Sequence, residues 1–297
     1  MAGLPPATLR PALRLAGGWI FSPEASWPQS RRRLALSFLL PLPPRSAQIT
    51  TVKLGGVPCL EVVPAGADRD RVIVYLHGGG YVVGSPRTHR RLAALLAGAA
   101  GARAVLVDYR LAPEHPFPAA LEDASAVWRA LLAGGLPASR TVLAGDSAGG
   151  GLALAVALQA RDRGQDQPAA LALICPWLDL TPTPRAPAPR EPLLSEEVLA
   201  RFAHAYLNGH DPTDPLVSPV RAELGGLAPL LVQSGGDDLL VDDARRIAIG
   251  GRAAGLAVED RCVPGLWHDF HALAGVVAGA DRALEDLGVA IGRHLRG

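Results

Sequence analysis

A chain of 297 residues with a formal net charge of +1 is long enough for one large domain or two average ones, and can bury roughly 75% of the surface its unfolded form exposes. Near-neutrality leaves no electrostatic footprint for nucleic acid or an acidic membrane, and Lys53 is the one lysine among 29 basic residues. Cys59, Cys175 and Cys262 are odd in number, far apart and never paired as C-x-x-C, which argues against a disulfide framework or a zinc site and for a reducing, cytoplasmic compartment.

Residues 1 to about 48 are proline-rich and carry helical patches. Within them Ser30-Arg31-Arg32-Arg33 precedes the apolar run Leu34 to Leu40, superficially a twin-arginine leader. The run starts well inside the chain and Pro41, Pro43 and Pro44 cut it short, so it reads as an amphipathic helix packed on the body. No apolar run approaches the roughly 18 residues that a membrane helix needs.

From about residue 70 the pattern alternates between short aliphatic runs and Ala/Leu/Arg stretches with helical spacing. Strands are predicted over 71–76, 104–107, 141–144, 171–175, 229–233 and 258–263, with helices over 89–100, 119–132 and 148–161. Near-continuous apolar strands alternating with helices mean a mostly parallel sheet covered on both faces, an α/β fold. The stretch from 181 to about 225 breaks the rhythm. It opens with prolines and then forms a helix with Ser195 as N-cap and Val198, Leu199, Phe202 and Tyr206 on one face, ending before Gly209. The whole of 1–297 reads as one domain, with a cap built from about 1–48 and 181–225.

The sharpest chemical signal is Gly145-Asp146-Ser147-Ala148-Gly149, a G-x-S-x-G set directly after a strand and opening a helix. A nucleophile elbow demands that context, since the serine sits in a strained turn that only small flanking residues permit. The spacing Gly145, Gly149, Gly151 also matches a dinucleotide loop of short-chain dehydrogenases. That motif opens a chain rather than sitting in its middle, however, and its chemistry needs a Tyr-x-x-x-Lys that is absent here. No Gly-Lys-Ser/Thr phosphate loop exists either. A second signal, His77-Gly78-Gly79-Gly80, ends an earlier strand. Its backbone N–H groups at Gly79 and Gly80, with that of Ala148, suit an oxyanion hole.

A serine hydroxyl needs a base, and the base a third group to orient it. Two downstream strand ends offer them. Asp237, Asp238, Asp242 and Asp243 crowd the first, and His268, Asp269 and His271 the second. Asp242 and Asp243 suit the start of the following helix. Asp238, with Asp237 as register alternative, is the expected acid, and His268 the expected base. His271 is expected a turn further in, and Asp269 as a solvated or structural neighbour. The order Ser, Asp, His is that of α/β-hydrolases.

Three separated motifs carry a family resemblance: His77 to Tyr81, Asp108-Tyr109-Arg110-Leu111-Ala112-Pro113-Glu114-His115-Pro116-Phe117-Pro118-Ala119-Ala120, and Gly145 to Gly150. Together they resemble the hormone-sensitive-lipase-like family of microbial carboxylesterases, over about residue 70 to the C-terminus. The resemblance implies an eight-stranded α/β-hydrolase sheet with a helical cap, Ser147 as nucleophile, Gly79, Gly80 and Ala148 as oxyanion hole, and His268 in a Gly-x-x-His-x-Phe setting. It favours Asp238, whose run to Asp242 is similar to the family's Asp-Pro-Leu-x-Asp but lacks the proline. The prolines of the Asp108–Ala120 stretch, with an arginine beside acids, make it read as a structural, rigid loop fixed by ion pairs. The expected substrates are short- to medium-chain esters, with no metal or organic cofactor and with a homodimer plausible from related enzymes. An amidase or formamidase and an acyltransferase would use the same residues. A non-catalytic ligand-binding member of the fold is the reading from another class, and the presence of His268 argues against it.

Overall fold

The computed structural model describes residues 4–38, 42–44 and 46–296. Leu39, Leu40 and Pro41, at the end of the apolar run that follows Arg33, lie outside the described residues. Eight strands form one sheet: β1 (Gln48–Leu54), β2 (Val57–Val63), β3 (Asp68–Leu76), β4 (Ala102–Val107), β5 (Thr141–Asp146), β6 (Ala170–Ile174), β7 (Leu230–Gly235) and β8 (Val258–Val263). Their spatial order is β1-β2-β4-β3-β5-β6-β7-β8. Strands β3 to β8 run parallel, while β2 pairs antiparallel with both β1 and β4.

The continuous apolar runs follow from burial on two sides. Along β3, Val72, Val74 and Leu76 join the core that contains α4 (Ala119–Ala133), α5 (Ala148–Asp162) and α7 (Val241–Ala253). The alternate residues Ile73 and Tyr75 join the other core, with α3 (Pro86–Ala100) and α8 (Ala280–His294). With period-2 side chains and helices on both faces, no position can be polar without cost. Helix α5 lies so deep that Ala148 to Leu158 is buried throughout, which is why its sequence is apolar all round rather than striped.

The sequence reading places no strand before residue 70, and the structure has two. Both belong to the β1–β2 hairpin, whose turn is Gly55-Gly56 with φ of +56° and +85°. Edge strand β1 is half exposed and rich in Thr and Gln, so its apolar signal is weak. The Gly-Gly between two alternating runs is nevertheless a hairpin signature. The N-terminal helical patches resolve into α1 (Pro6–Ile20) and α2 (Trp27–Ser37), and the Ser195-capped stretch is α6 (Glu196–Leu207). Ser195 Oγ accepts the N–H of Val198 at 3.2 Å, as its N-cap role requires. In α2, Arg31 donates to the carbonyls of Val82 and Ala112 at 2.8 Å and grips Glu114 with Nη1 and Nη2. No helix among the described residues is long and apolar enough to cross a membrane.

Candidate active site

Strand β5, fully buried, delivers the chain to Ser147 at φ +51° and ψ −122°, a conformation that costs a non-glycine residue about 1–3 kcal/mol. The surroundings enforce it. The Ser147 N–H donates to Ile174 at 2.9 Å, and the Ser147 carbonyl accepts from Trp177 at 2.9 Å and Gly150 at 3.0 Å. The tight turn brings Gly149 so close to β3 that a Cβ there would lie 2.0 Å from the Leu76 carbonyl. That contact is the steric reason for glycine at the last position of the motif.

The neighbouring loop after β3 is bound to the elbow by one carboxylate. Asp146 Oδ2 accepts the N–H of Gly78 at 3.0 Å, Oδ1 accepts the Tyr75 hydroxyl at 2.6 Å, and His89 Nε2 lies 3.1 Å from Oδ2. Burial disfavours the charge on Asp146, but His89 and the Tyr75 hydroxyl outweigh it and hold its pKa at about 2. Beyond Gly78 the chain turns through three positive φ values, at Gly79, Gly80 and Tyr81. A Cβ on Gly80 would strike the ring of Phe202 from α6 at 2.3 Å. Among the described residues, the N–H groups of Gly79, Gly80 and Ala148 donate to no protein acceptor. Gly80 and Ala148 are buried, and buried donors are seldom left so. His77 stays neutral, its pKa pushed down to about 3 by burial and by the nearby His89. Its ring stacks on Tyr109, whose hydroxyl donates to the His77 carbonyl at 2.6 Å. The Asp108–Ala120 stretch therefore underlies this loop. Its ion pairs run from Arg110 to Glu122 and Asp123 and from Glu114 to Arg31.

Asp238 and His268 meet from the loops after β7 and β8. His268 Nδ1 lies 3.1 Å from each Asp238 oxygen, and both side chains are buried. Asp237 points elsewhere, pairing with Arg10 at 2.6 Å and Arg190 at 3.1 Å. Asp242 is half-buried beside Arg245, while Asp243 is buried and accepts the N–H groups of Leu178 and Asp179. His271 Nε2–H donates to Gln233 Oε1 on β7 at 2.8 Å, and burial pushes its pKa down to about 3.

Two site residues had no separate reading in the sequence or a different one. Glu191, in the proline-rich stretch before α6, accepts the backbone N–H of His268 at 2.8 Å and that of Leu193 at 2.7 Å. Asp269, expected as a solvated or structural neighbour, places Oδ2 3.1 Å from His268 Nε2. Burial opposes charge on His268, yet the carboxylates of Asp269 and Asp238 overcome it and hold the imidazole well above its ordinary value. No distance-based signal for either contact exists in the sequence.

Ser147, His268, Gly79 and Gly80 line one cavity of about 210 Å³. Its walls are apolar and come from Ile20 of α1, Leu34 of α2, and Leu199 and Phe202 of α6. Cys175, His268 and Asp269 hold their ligand-type atoms within 4.8 Å of one another.

The profile of a family described as having the alpha/beta hydrolase fold matches residues 73–272. An acetyl-hydrolase of Streptomyces hygroscopicus is 44% identical over 249 residues, covering 78% of this chain and 82% of that protein. An esterase of Acinetobacter venetianus is 36% identical over 246 residues, covering 82% and 81%. Among solved structures, an esterase from the bacterial hormone-sensitive lipase family superposes with a TM-score of 0.90 at 37% identity, over 96% of this chain and 98% of that one. A hormone-sensitive lipase from a metagenome library gives 0.93 at 34% identity, over 99% and 100%.

Proposed function

The chain belongs to the alpha/beta hydrolase fold family, in its hormone-sensitive-lipase-like branch, and on that premise we propose that it is a serine carboxylesterase working through Ser147, His268 and Asp238. One observation carries the reading: a serine on a strained strand-to-helix turn, a histidine bracketed by an acid at Nδ1, and uncommitted N–H groups converge on a single cavity.

His268 takes the proton of Ser147 as Oγ attacks the ester carbonyl carbon, and Asp238 orients and stabilises the imidazolium. The tetrahedral oxyanion accepts hydrogen bonds from Gly79, Gly80 and Ala148, and the N-terminal end of α5 adds its favourable field. Collapse breaks the bond to the alcohol, which leaves with the proton from His268. Water, deprotonated by the same imidazole, then attacks the acyl-enzyme and releases the acid.

Helices α1, α2 and α6 act as a cap, so the segments 1–48 and 181–225 are one functional unit on a single catalytic domain. The cavity is smaller than the roughly 300–1,000 Å³ of drug-sized sites, which supports short- to medium-chain acyl groups. Three unpaired cysteines suit a reducing, cytoplasmic setting. The test is release of p-nitrophenol from acetyl, butyryl and octanoyl esters, with the matching anilides in parallel, by wild type and Ser147→Ala. Turnover in the variant should fall on the order of 10⁴- to 10⁶-fold. Retained turnover would remove Ser147 from the mechanism.

A further inference from the structure

The base of this site has two carboxylates rather than one. Asp238 faces Nδ1 of His268, as the reaction requires, but Nε2, the nitrogen that must receive the Ser147 proton, lies 3.1 Å from Asp269 Oδ2. Among the described residues no hydrogen bond joins Ser147 Oγ to His268. Asp269 is placed by its backbone, since φ +51° and ψ +31° turn it back over the preceding imidazole at the start of a short 3-10 turn. Its Oδ1 is buried and accepts from no group among the described residues. Its remaining exposure, 22% of the side chain, opens on the cavity it lines. A carboxylate with one oxygen orphaned and the other on an imidazole has no structural partner to serve except that imidazole.

We propose that Asp269 is a positioning residue that engages the Nε2 proton of His268 in the resting enzyme, competes with Ser147 for that nitrogen, and so sets the pH at which the base becomes free. The proposal rests on the reading of His268 as general base. A base at Nε2 must be neutral with its lone pair aimed at Oγ. The imidazolium, by contrast, is the form that two flanking carboxylates favour. The proton must therefore leave the His268–Asp269 pair before Ser147 can be activated, and the apparent titration belongs to the pair.

The other ionisable groups around it do not cancel this. Asp146 at the end of β5 is engaged by Tyr75 of β3 and by His89 of α3. Asp238 and the backbone-bound Glu191 add negative charge from the other side. Cys175, after β6, is a neutral thiol because burial and the carboxylates of Asp238 and Asp269 raise it. His271 and His77 are kept neutral by burial. Burial, with Asp146 and Asp238 acting against the stabilising His268, pushes Asp269 itself up to about 6.

The experiment is the pH dependence of kcat/KM on p-nitrophenyl butyrate for wild type, Asp269→Asn and Asp269→Gly, with Ser147→Ala alongside. Asparagine and glycine both tolerate the left-handed backbone, so neither substitution requires the turn to refold. In both variants the ascending limb should move to lower pH by about one unit or more, and kcat/KM on the acidic side should rise about tenfold for each unit moved. An ascending limb that stays in place, or moves to higher pH, in the two variants while Ser147→Ala is inactive would overturn the role of Asp269. Activity surviving in Ser147→Ala would instead overturn the underlying mechanism.

Discussion

Glu191 Oε2 accepts the backbone N–H of His268 at 2.8 Å, tying a segment that precedes α6 to the loop that carries the imidazole. The same carboxylate, through Oε1, takes the N–H groups of Leu193 and Leu194. Burial disfavours its charge and raises its pKa despite His268 nearby. A carboxylate kept buried at such cost, with three N–H donors converging on it, organises the backbone around His268.

Glu191→Ala should therefore leave three N–H groups without an acceptor, at about 1–3 kcal/mol for each that stays buried. We expect a lower Tm and a fall in kcat on the order of 10- to 100-fold as His268 loses its anchor, with KM changing less. Thermal melts together with steady-state kinetics on one ester separate the two effects.

Phe202 packs its ring against Gly80 and against Phe21, with ring centroids 5.5 Å apart for the aromatic pair. Phe202→Leu should lengthen the space above the oxyanion loop. Each methylene newly accommodated is worth about 0.8 kcal/mol, so the ratio of kcat/KM for octanoyl over butyryl esters should rise about fourfold per methylene. A chain-length series on the two proteins measures it.

Gly149→Ala would drive a Cβ to 2.0 Å from the Leu76 carbonyl, at the end of a strand that its pairing with β5 holds in place. Loss of several kcal/mol is expected, on the order of the severe core substitutions, visible as low soluble yield or a sharply lowered Tm. Gly18→Ala is the contrast. Gly18 lies exposed in α1, and a Cβ there would meet nothing within 4 Å, so alanine should stabilise by about 0.5–1 kcal/mol.

His271 gives the chain an acid-sensitive slope. The unfolded chain protonates this residue near about 6.5, whereas burial holds the folded imidazole neutral down to about 3. Its contribution to stability is complete above about pH 6.5 and is lost progressively as the pH falls towards 3, by up to about 1.4 kcal/mol per pH unit. Denaturant unfolding at about pH 6.5 and about pH 5 should show wild type losing up to about 2 kcal/mol more than His271→Gln over that interval.

The proposed reacting groups could be picked out of the sequence because each leaves a local mark. An elbow needs small residues around one serine, an oxyanion loop needs consecutive glycines, and chain order arranges the acid and the histidine. The choice of Asp238 over Asp237 needed more. Asp237 is drawn off by Arg10 from a helix 227 residues away in sequence, a contact no spacing rule contains. Glu191 and His268 are 77 residues apart, and Asp269 is adjacent to His268 yet meets its far nitrogen only because of a left-handed backbone. Hairpin β1–β2 was missed for another reason. Strand β1, a solvent-facing edge strand with polar residues, lacks the apolar contrast by which the buried strands announce themselves, and Pro58 and Glu61 interrupt the run of β2.

Asp146 also has a consequence for how this enzyme can change. By holding Gly78 while its own backbone leads into Ser147, it makes the proposed nucleophile and oxyanion donors a single rigid tool. The walls contributed by Ile20, Leu34 and Phe202 make no hydrogen bond to that tool through their side chains. New substrate ranges are therefore reachable by repacking the walls one residue at a time, with the reaction itself left intact. Glu191 marks where that freedom stops, because there the wall and the histidine share a bond.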